Sequence, residues 1–173
     1  SDNQAINWTR VNHTDFNYKN GDVAGYGIIY NKPFLADKNS DIWFSDNKGR
    51  TWILVKDDYN GAESNNIISM TNDNLNNLYI VERDDNIWKS SNLGISWTKI
   101  NSSYDSLSKT NGNALLISSD NNNSIYIIEK DEDIWRSDNQ AINWNKVNGT
   151  NFNGNNDDVK GFSRFNSITN FNY

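Results

Sequence analysis

The groups able to do chemistry are unevenly supplied along these 173 residues: 22 carboxylates stand against 16 lysines and arginines, with one histidine and no cysteine. A lone His13 excludes a histidine-based triad or a multi-histidine metal site. Without thiols there is neither a disulfide framework nor sulfur nucleophile chemistry. Two patterned sets remain. The first is an aromatic seven or eight residues after a tryptophan: Phe16 after Trp8, Tyr59 after Trp52, Tyr104 after Trp97 and Phe152 after Trp144. The second is a recurring polar turn, Asn39-Ser40-Asp41, Asp84-Asp85-Asn86 and Asp131-Glu132-Asp133. An exposed ring beside amides and carboxylates is how proteins hold sugars, by stacking on the apolar ring face while polar groups take the hydroxyls. Phe16, Tyr59, Tyr104, Phe152, Asp41, Asp85 and Asp133 are therefore the candidate ligand-binding residues.

The elements that must position them follow from a repeat. Ser1–Trp8 (SDNQAINW) returns letter for letter as Ser137–Trp144, with looser copies SDNKGRTW at Ser45–Trp52 and SSNLGISW at Ser90–Trp97. The closing tryptophans are 44, 45 and 47 residues apart, a period typical of propellers and solenoids. Between octets lie short β-branched and aromatic runs, such as IISMT, NLYIVE and NIWKS, separated by turn residues. Each unit thus predicts four strands joined by hairpin-length connections, the arithmetic of a four-stranded antiparallel blade. The first strand of each unit, as in GYGII, IISM and ALLIS, reads as the innermost, buried on both faces.

The units span 22–57, 65–101 and 112–148, and a split fourth joins 159–173 to 1–12. The expected fold is an all-β propeller of about four blade-equivalents, three whole and one divided between the termini, in a single domain over 1–173. The identity of the outer octets marks a superperiod of 136 residues, which points to an excerpt of a longer repeat protein or a self-associating fragment. The aromatic loops and acidic turns should emerge together on the face opposite the octets, because alternate hairpin ends of a meander share a side. On that face the rings either meet solvent or fold down as lids over the blade interface. The acidic turns are either solvated tips or shallow cation or sugar-hydroxyl sites.

The octets resemble the Asp-box, or bacterial neuraminidase repeat, with the pattern Ser-x-Asp-x-Gly-x-Thr-Trp. Ser45, Asn47, Gly49 and Trp52 match it with Asn in the Asp place, as do Ser90, Asn92, Gly94 and Trp97. Ser1, Asn3 and Trp8, and Ser137, Asn139 and Trp144, match with alanine in the Gly place. The resemblance implies that the box is the hairpin between the third and fourth strands of a propeller blade. Its Asn would imitate a turn, its Gly would take a positive φ and its Trp would insert between blades. Alanine at a positive φ costs about 1 kcal/mol, so Ala5 and Ala141 point to a different turn. The boxes lack the alternating ligands of a calcium loop, so they read as structural.

The same resemblance raises a sialidase-like hydrolase, whose paired carboxylates and arginines would gather above the propeller axis. The residues argue against it. There are five arginines; Arg50 lies inside a box, and Arg10 and Arg136 occupy repeat positions where other copies differ. A catalytic group should break the repeat, because a site needs one acid and one base rather than one per blade.

A net charge of −6 without a Lys/Arg cluster excludes a phosphate-binding face, hence a nucleic-acid partner. There is no apolar run of about 20 residues, so no membrane insertion is expected. The expectation is a non-catalytic, lectin-like binding or assembly module without cofactor or metal. It would recognise glycan or a surface protein through the loop face and form homo-oligomers or join further repeats of the same protein. Its setting would be secreted, at a cell or virion surface. The alternatives are a structural repeat of a self-associating surface or virion protein, and a fragment of a sialidase-like glycoside hydrolase.

Overall fold

The computed structural model describes residues 23–61, 66–101, 104–105, 114–131 and 133–147. The first blade holds β1 (Val23–Ile29), β2 (Lys32–Asp37), β3 (Ile42–Phe44) and β4 (Ile53–Lys56). The second holds β5 (Ile67–Asn72), β6 (Leu78–Glu82), β7 (Ile87–Ser90) and β8 (Thr98–Asn101). The third holds β9 (Ala114–Ser119), β10 (Ile125–Glu129), β11 (Ile134–Ser137) and β12 (Asn145–Lys146). Each is an antiparallel sheet in sequence order, giving three four-stranded sheets. Among the described residues no helix is long and apolar enough to cross a membrane. The expected split blade, with Ser1, Asn3 and Trp8, and the candidate loop aromatics Phe16 and Phe152 lie outside the described residues.

The sheets stack through side chains of period 2. On β6, Leu78 and Ile80 join Ile29, Phe34, Ile42 and Met70 between blades 1 and 2. Tyr79 and Val81 point the other way, toward Ile117 and Ile127 of blade 3. Complete burial of such side chains contributes about 1.5–3 kcal/mol each. The first strands of neighbouring blades run side by side, β1 against β5 and β5 against β9. Glycines permit this approach: a Cβ on Gly25 would lie 2.3 Å from the Met70 backbone nitrogen, and one on Gly27 would lie 3.1 Å from Leu78 Cδ2.

Burial of the first strand on both faces does not hold for blade 1. Tyr26 and Ile28, on the side of β1 turned away from blade 2, are 63% and 50% exposed. The strand buried at every position is β6, because a second strand lies inside its sheet with a blade on each side.

The three described octets form one turn. Ser45 Oγ accepts the Gly49 N–H at 2.8 Å, and Asn47 Oδ1 accepts the Thr51 N–H at 2.9 Å. Ser90 and Asn92 repeat this with Gly94 and Ser96, and Ser137 and Asn139 repeat it with Ala141 and Asn143. Two successive residues are left-handed in each copy, Lys48-Gly49, Leu93-Gly94 and Gln140-Ala141. Ala141, at φ 65°, therefore does not adopt a different turn. Its N–H bond and buried methyl group offset the local strain. The side-chain bond to Thr51 also explains why β4 begins only at Ile53, after the box tryptophan: Thr51 is still part of the turn.

Candidate functional site

On the face opposite the octets, each second strand ends in a buried carboxylate: Asp37, Glu82 and Glu129. The tryptophan six residues later donates its indole N–H to that carboxylate. The distances are 3.2 Å for Trp43 to Asp37, 2.8 Å for Trp88 to Glu82 and 3.0 Å for Trp135 to Glu129. The remaining oxygen of each glutamate accepts a tyrosine from the loop of the preceding blade, Tyr59 on Glu82 at 2.5 Å and Tyr104 on Glu129 at 2.8 Å. Both rings meet two tryptophans each. Tyr59 lies 5.7 Å from Trp88 and 5.4 Å from Trp97, and Tyr104 lies 6.2 Å from Trp135 and 5.9 Å from Trp144.

Tyr59 and Tyr104 are therefore interblade wedges, 4% and 3% exposed, and offer no ring face on which a sugar could stack. Burial, together with the carboxylates beside them, pushes both phenols far up, so they stay neutral donors. Three hydrogen-bonding carboxylates, one per blade, went unnoticed as a set in the sequence. Their signal is an acid six residues before the first tryptophan of each unit.

The acidic turns are also drawn into the fold. Asp41 is buried, and its Oδ1 accepts the Asp58 N–H at 3.2 Å. Burial, with Asp37 and Asp57 nearby, pushes its carboxyl up to about 6. Asp85 is 3% exposed and is left-handed at φ 62°; burial and the charge of Asp105 raise it to about 6. Asp133 pairs with Lys146 at 2.6 Å. In the repeat, Asp133 corresponds to Asp41 and Asn86, and Asp85 sits one position earlier, so the three predicted acids do not form one ring of equivalent groups.

Glu129, Asp131 and Asp133 bring carboxylate oxygens within 4.8 Å of one another, enough to hold a cation in principle. Yet Glu129 already accepts Tyr104 and Trp135, and Lys146 supplies the neutralising charge at Asp133. Burial raises Glu129 to about 7, with the Tyr104 and Trp135 bonds opposing and the charges of Asp131 and Asp105 adding.

The octet side carries a feature that does break the repeat. Between blades 1 and 2 a groove of about 300 Å³ is lined by Phe34, Phe44, Val55, Leu93, Ile95 and Lys32. Phe34 and Phe44 stack at 5.7 Å, and the Lys32 ammonium stands 5.7 Å from the Phe44 ring centre. At the corresponding places between blades 2 and 3 the chain has Tyr79, Lys89 and Gln140 in place of Phe34, Phe44 and Leu93. There Lys89 Nζ donates to Gln140 Oε1, and Tyr79 donates to Asp73 at 2.9 Å. The polar pair Asp73 and Tyr79 becomes the apolar pair Ile29 and Phe34 in blade 1. Sequence reasoning missed this groove, although the loss of polar groups at repeat positions 34, 44 and 93 signals it.

No family model matches the chain, and no curated protein sequence does. Solved structures do. The structure described as YCF48 bound to D1 peptide superposes with a TM-score of 0.59 at 17% identity, over 73% of this chain and 40% of that one. YCF48 from Cyanidioschyzon merolae gives 0.56 at 15% identity, over 73% and 37%. The GH74 enzyme of Niastella koreensis gives 0.56 at 20% identity, over 75% and 23%. This chain spans two fifths or less of the length of these proteins. They are β-propellers, and the likeness shows that fold for this chain: an all-β propeller arrangement of four-stranded antiparallel blades.

Proposed function

We propose that the chain is a non-catalytic propeller module that binds another protein. The observation that carries the reading is the use made of its carboxylates. Asp37, Glu82 and Glu129 recur blade by blade, and each accepts its own blade's indole, with a neighbouring tyrosine added at both glutamates. A hydrolase needs one acid and one base that differ from their repeats, whereas these groups serve as repeated hydrogen-bond hubs. The feature that breaks the repeat is an apolar groove, which suits a protein partner better than a sugar, whose hydroxyls need several polar groups. One propeller neighbour is described as bound to a peptide, which supports a binding role on this fold. The resemblance of the octets to Asp-boxes supports kinship with that repeat family and is compatible with either binding or hydrolysis.

The test pairs two assays on the 173-residue chain: selection of a random nonapeptide display library on the immobilised protein, and turnover of chromogenic glycosides and xyloglucan. Enriched peptides without turnover are expected. Turnover abolished by Glu129→Gln would overturn the reading in favour of a glycosidase fragment.

A second reading, assembly with further blades, rests on the β1 face. Tyr26, Leu35, Trp43 and Leu54 lie in register across sheet 1 on the side whose counterparts in blade 2, Met70 and Ile80, are covered by blade 1. Light scattering tests it: a concentration-dependent mass reduced by Tyr26→Lys supports assembly through this face, and a mass unaffected by that change removes it.

A further inference from the structure

The two blade interfaces differ in a coordinated way at their octet end, and the difference includes the position of a cation. Pairing of Asn72 with Leu78 and of Ile28 with Pro33 aligns the inner hairpins of blades 2 and 1, so Lys32 stands where blade 2 has Asn77. Asn77 is buried, and its amide donates to Asp73 Oδ2 at 2.8 Å, the oxygen that also accepts the Tyr79 hydroxyl. Between blades 2 and 3 the polar groups thus satisfy one another, Lys89 included, through Gln140. Between blades 1 and 2 those partners are gone. Ile29, Phe34, Phe44 and Leu93 wall an apolar recess, and Lys32 is the one charged residue that lines it. Lys32 is exposed and makes no ion pair with a described residue. Tyr30 lines the same recess, and Asn76 of blade 2 fixes it by donating to its hydroxyl at 3.2 Å.

From this combination we propose that the groove captures the C-terminal residue of a partner protein, with its apolar side chain against the stacked Phe34 and Phe44 rings and its α-carboxylate on Lys32. Size sets the first constraint. At about 300 Å³ the groove lies at the small end of ligand sites, about 300–1,000 Å³, so it holds the end of a chain rather than a length of it. Charge sets the second. The ammonium stands 5.7 Å from the Phe44 ring centre, so the occupant must carry an apolar group and an anion close together. Successive side chains of an extended segment point to opposite faces, and alternate ones lie about 7 Å apart; a terminal residue carries both groups on one Cα. Affinity then comes from an apolar anchor in a recess and a charge-assisted hydrogen bond, and no free sheet edge is required. An amidated terminus lacks the anion, and a sugar lacks the apolar body.

The inference rests on the protein-binding reading above and names the part of the partner that is recognised. Its test is fluorescence polarisation of short Gly-Ser peptides, labelled at the N-terminus and ending in Phe, Leu or Ser, with the 173-residue chain. Phe and Leu termini should bind about tenfold more tightly than Ser. Amidation, or one glycine added after the Phe, should cost about tenfold. Two variants restore residues that the repeat already carries at these places, so both are expected to fold, which circular dichroism checks. Lys32→Asn supplies the residue found at Asn77 and should reduce the preference for acid over amide below about twofold while keeping that for Phe over Ser. Phe44→Lys with Leu93→Gln installs the pair found at Lys89 and Gln140 and should abolish the preference for Phe and Leu. Equal binding of acids and amides by the natural chain would overturn terminal capture. Terminal selectivity retained by both variants would overturn the groove as its site. Binding of none of these termini, while the random library above still yields peptides, would overturn the inference and leave the protein-binding reading standing; failure of both would remove that reading as well. Decanoate binding more tightly than the Phe-ended peptide would make a free fatty acid the occupant and overturn the partner terminus.

Discussion

Glu82 and Trp88, six residues apart on adjacent strands, are joined by a 2.8 Å bond from the indole N–H to Oε2. The carboxylate also accepts Asn86 at Oε2 and Tyr59 and Asn60 at Oε1, so four donors from two blades converge on one buried group. Glu129 and Trp135 repeat the pair at 3.0 Å, with Tyr104 in the role of Tyr59. Stacking of one blade on the next therefore carries a specific polar clasp inside an aromatic cluster.

This clasp predicts a graded mutational response. Glu82→Gln keeps an acceptor for Tyr59 but turns its amide N–H groups toward the Trp88 or Asn86 donors, and should cost about 2–3 kcal/mol. Tyr59→Phe removes one donor, leaves the ring between Trp88 and Trp97, and should cost about 1 kcal/mol. Tyr59→Ala empties the wedge and should cost about 3–5 kcal/mol. Urea denaturation followed by tryptophan fluorescence measures the order; equal stability of all three variants would contradict a buried clasp.

Acid should stabilise the protein over an unusual window. Asp41 and Asp85 are raised to about 6 and Glu129 to about 7, so the folded state binds more protons than the unfolded chain between these values and about pH 4. Their contribution is fully present below about pH 4 and is lost as pH rises through about 6 to 7. Asp120 acts in the opposite sense: burial works to raise it, but the Ser124 and Asn122 backbone N–H groups and Tyr126 carry it below the usual range. Its stabilisation is lost only as pH falls below about 4. Melting temperature should therefore climb from about pH 8 to about pH 5, and Glu129→Gln should flatten the part above about pH 6. A maximum at neutral pH would refute the assignment.

The octet turn predicts a tolerated strain. Gly94 has φ 83°, and an added Cβ would come 3.0 Å from Ile42 Cγ2. Gly94→Ala should fold, because Ala141 shows that the turn accepts a methyl group, yet lose about 1–2 kcal/mol. Thermal unfolding decides between this, no change, and failure to fold.

Gly25 should be less forgiving. The obstacle to its Cβ is the Met70 backbone nitrogen at 2.3 Å, which cannot rotate aside as a side chain can. Gly25→Ala should cost about 3 kcal/mol, the upper part of the range for overpacking, and should increase hydrogen exchange in β1 and β5 before β9. Exchange unchanged in β5 would mean that β1 does not depend on this approach.

Much of the architecture was legible in the residues because it is encoded locally. Ser45 and Asn47 bind backbone groups only four residues ahead, so the octet announces its turn without the rest of the fold. β-Branched and aromatic runs such as Leu78–Glu82 announce strands, and the tryptophan spacing announces their grouping into blades. The runs IISMT, NLYIVE and NIWKS match β5, β6 and β7 to within one residue at each end.

The exposure of Tyr59 could not be read this way. Its loop is polar, and nothing within ten residues says whether the ring meets solvent or turns inward. Its hydroxyl acceptor is 23 residues away on the next blade, and its ring neighbours are 29 and 38 residues away. The groove is similar: Phe34, Phe44 and Leu93 are visible as departures from the repeat, but they enclose a shared space only when two separate sheets stack. Sequence alone thus determined turns, strands and blade count per repeat, which depend on short-range hydrogen bonding and periodic burial. Only the tertiary structure decided which aromatics are surface and which are wedge, because that depends on a neighbouring blade supplying both the acceptor and the apolar walls.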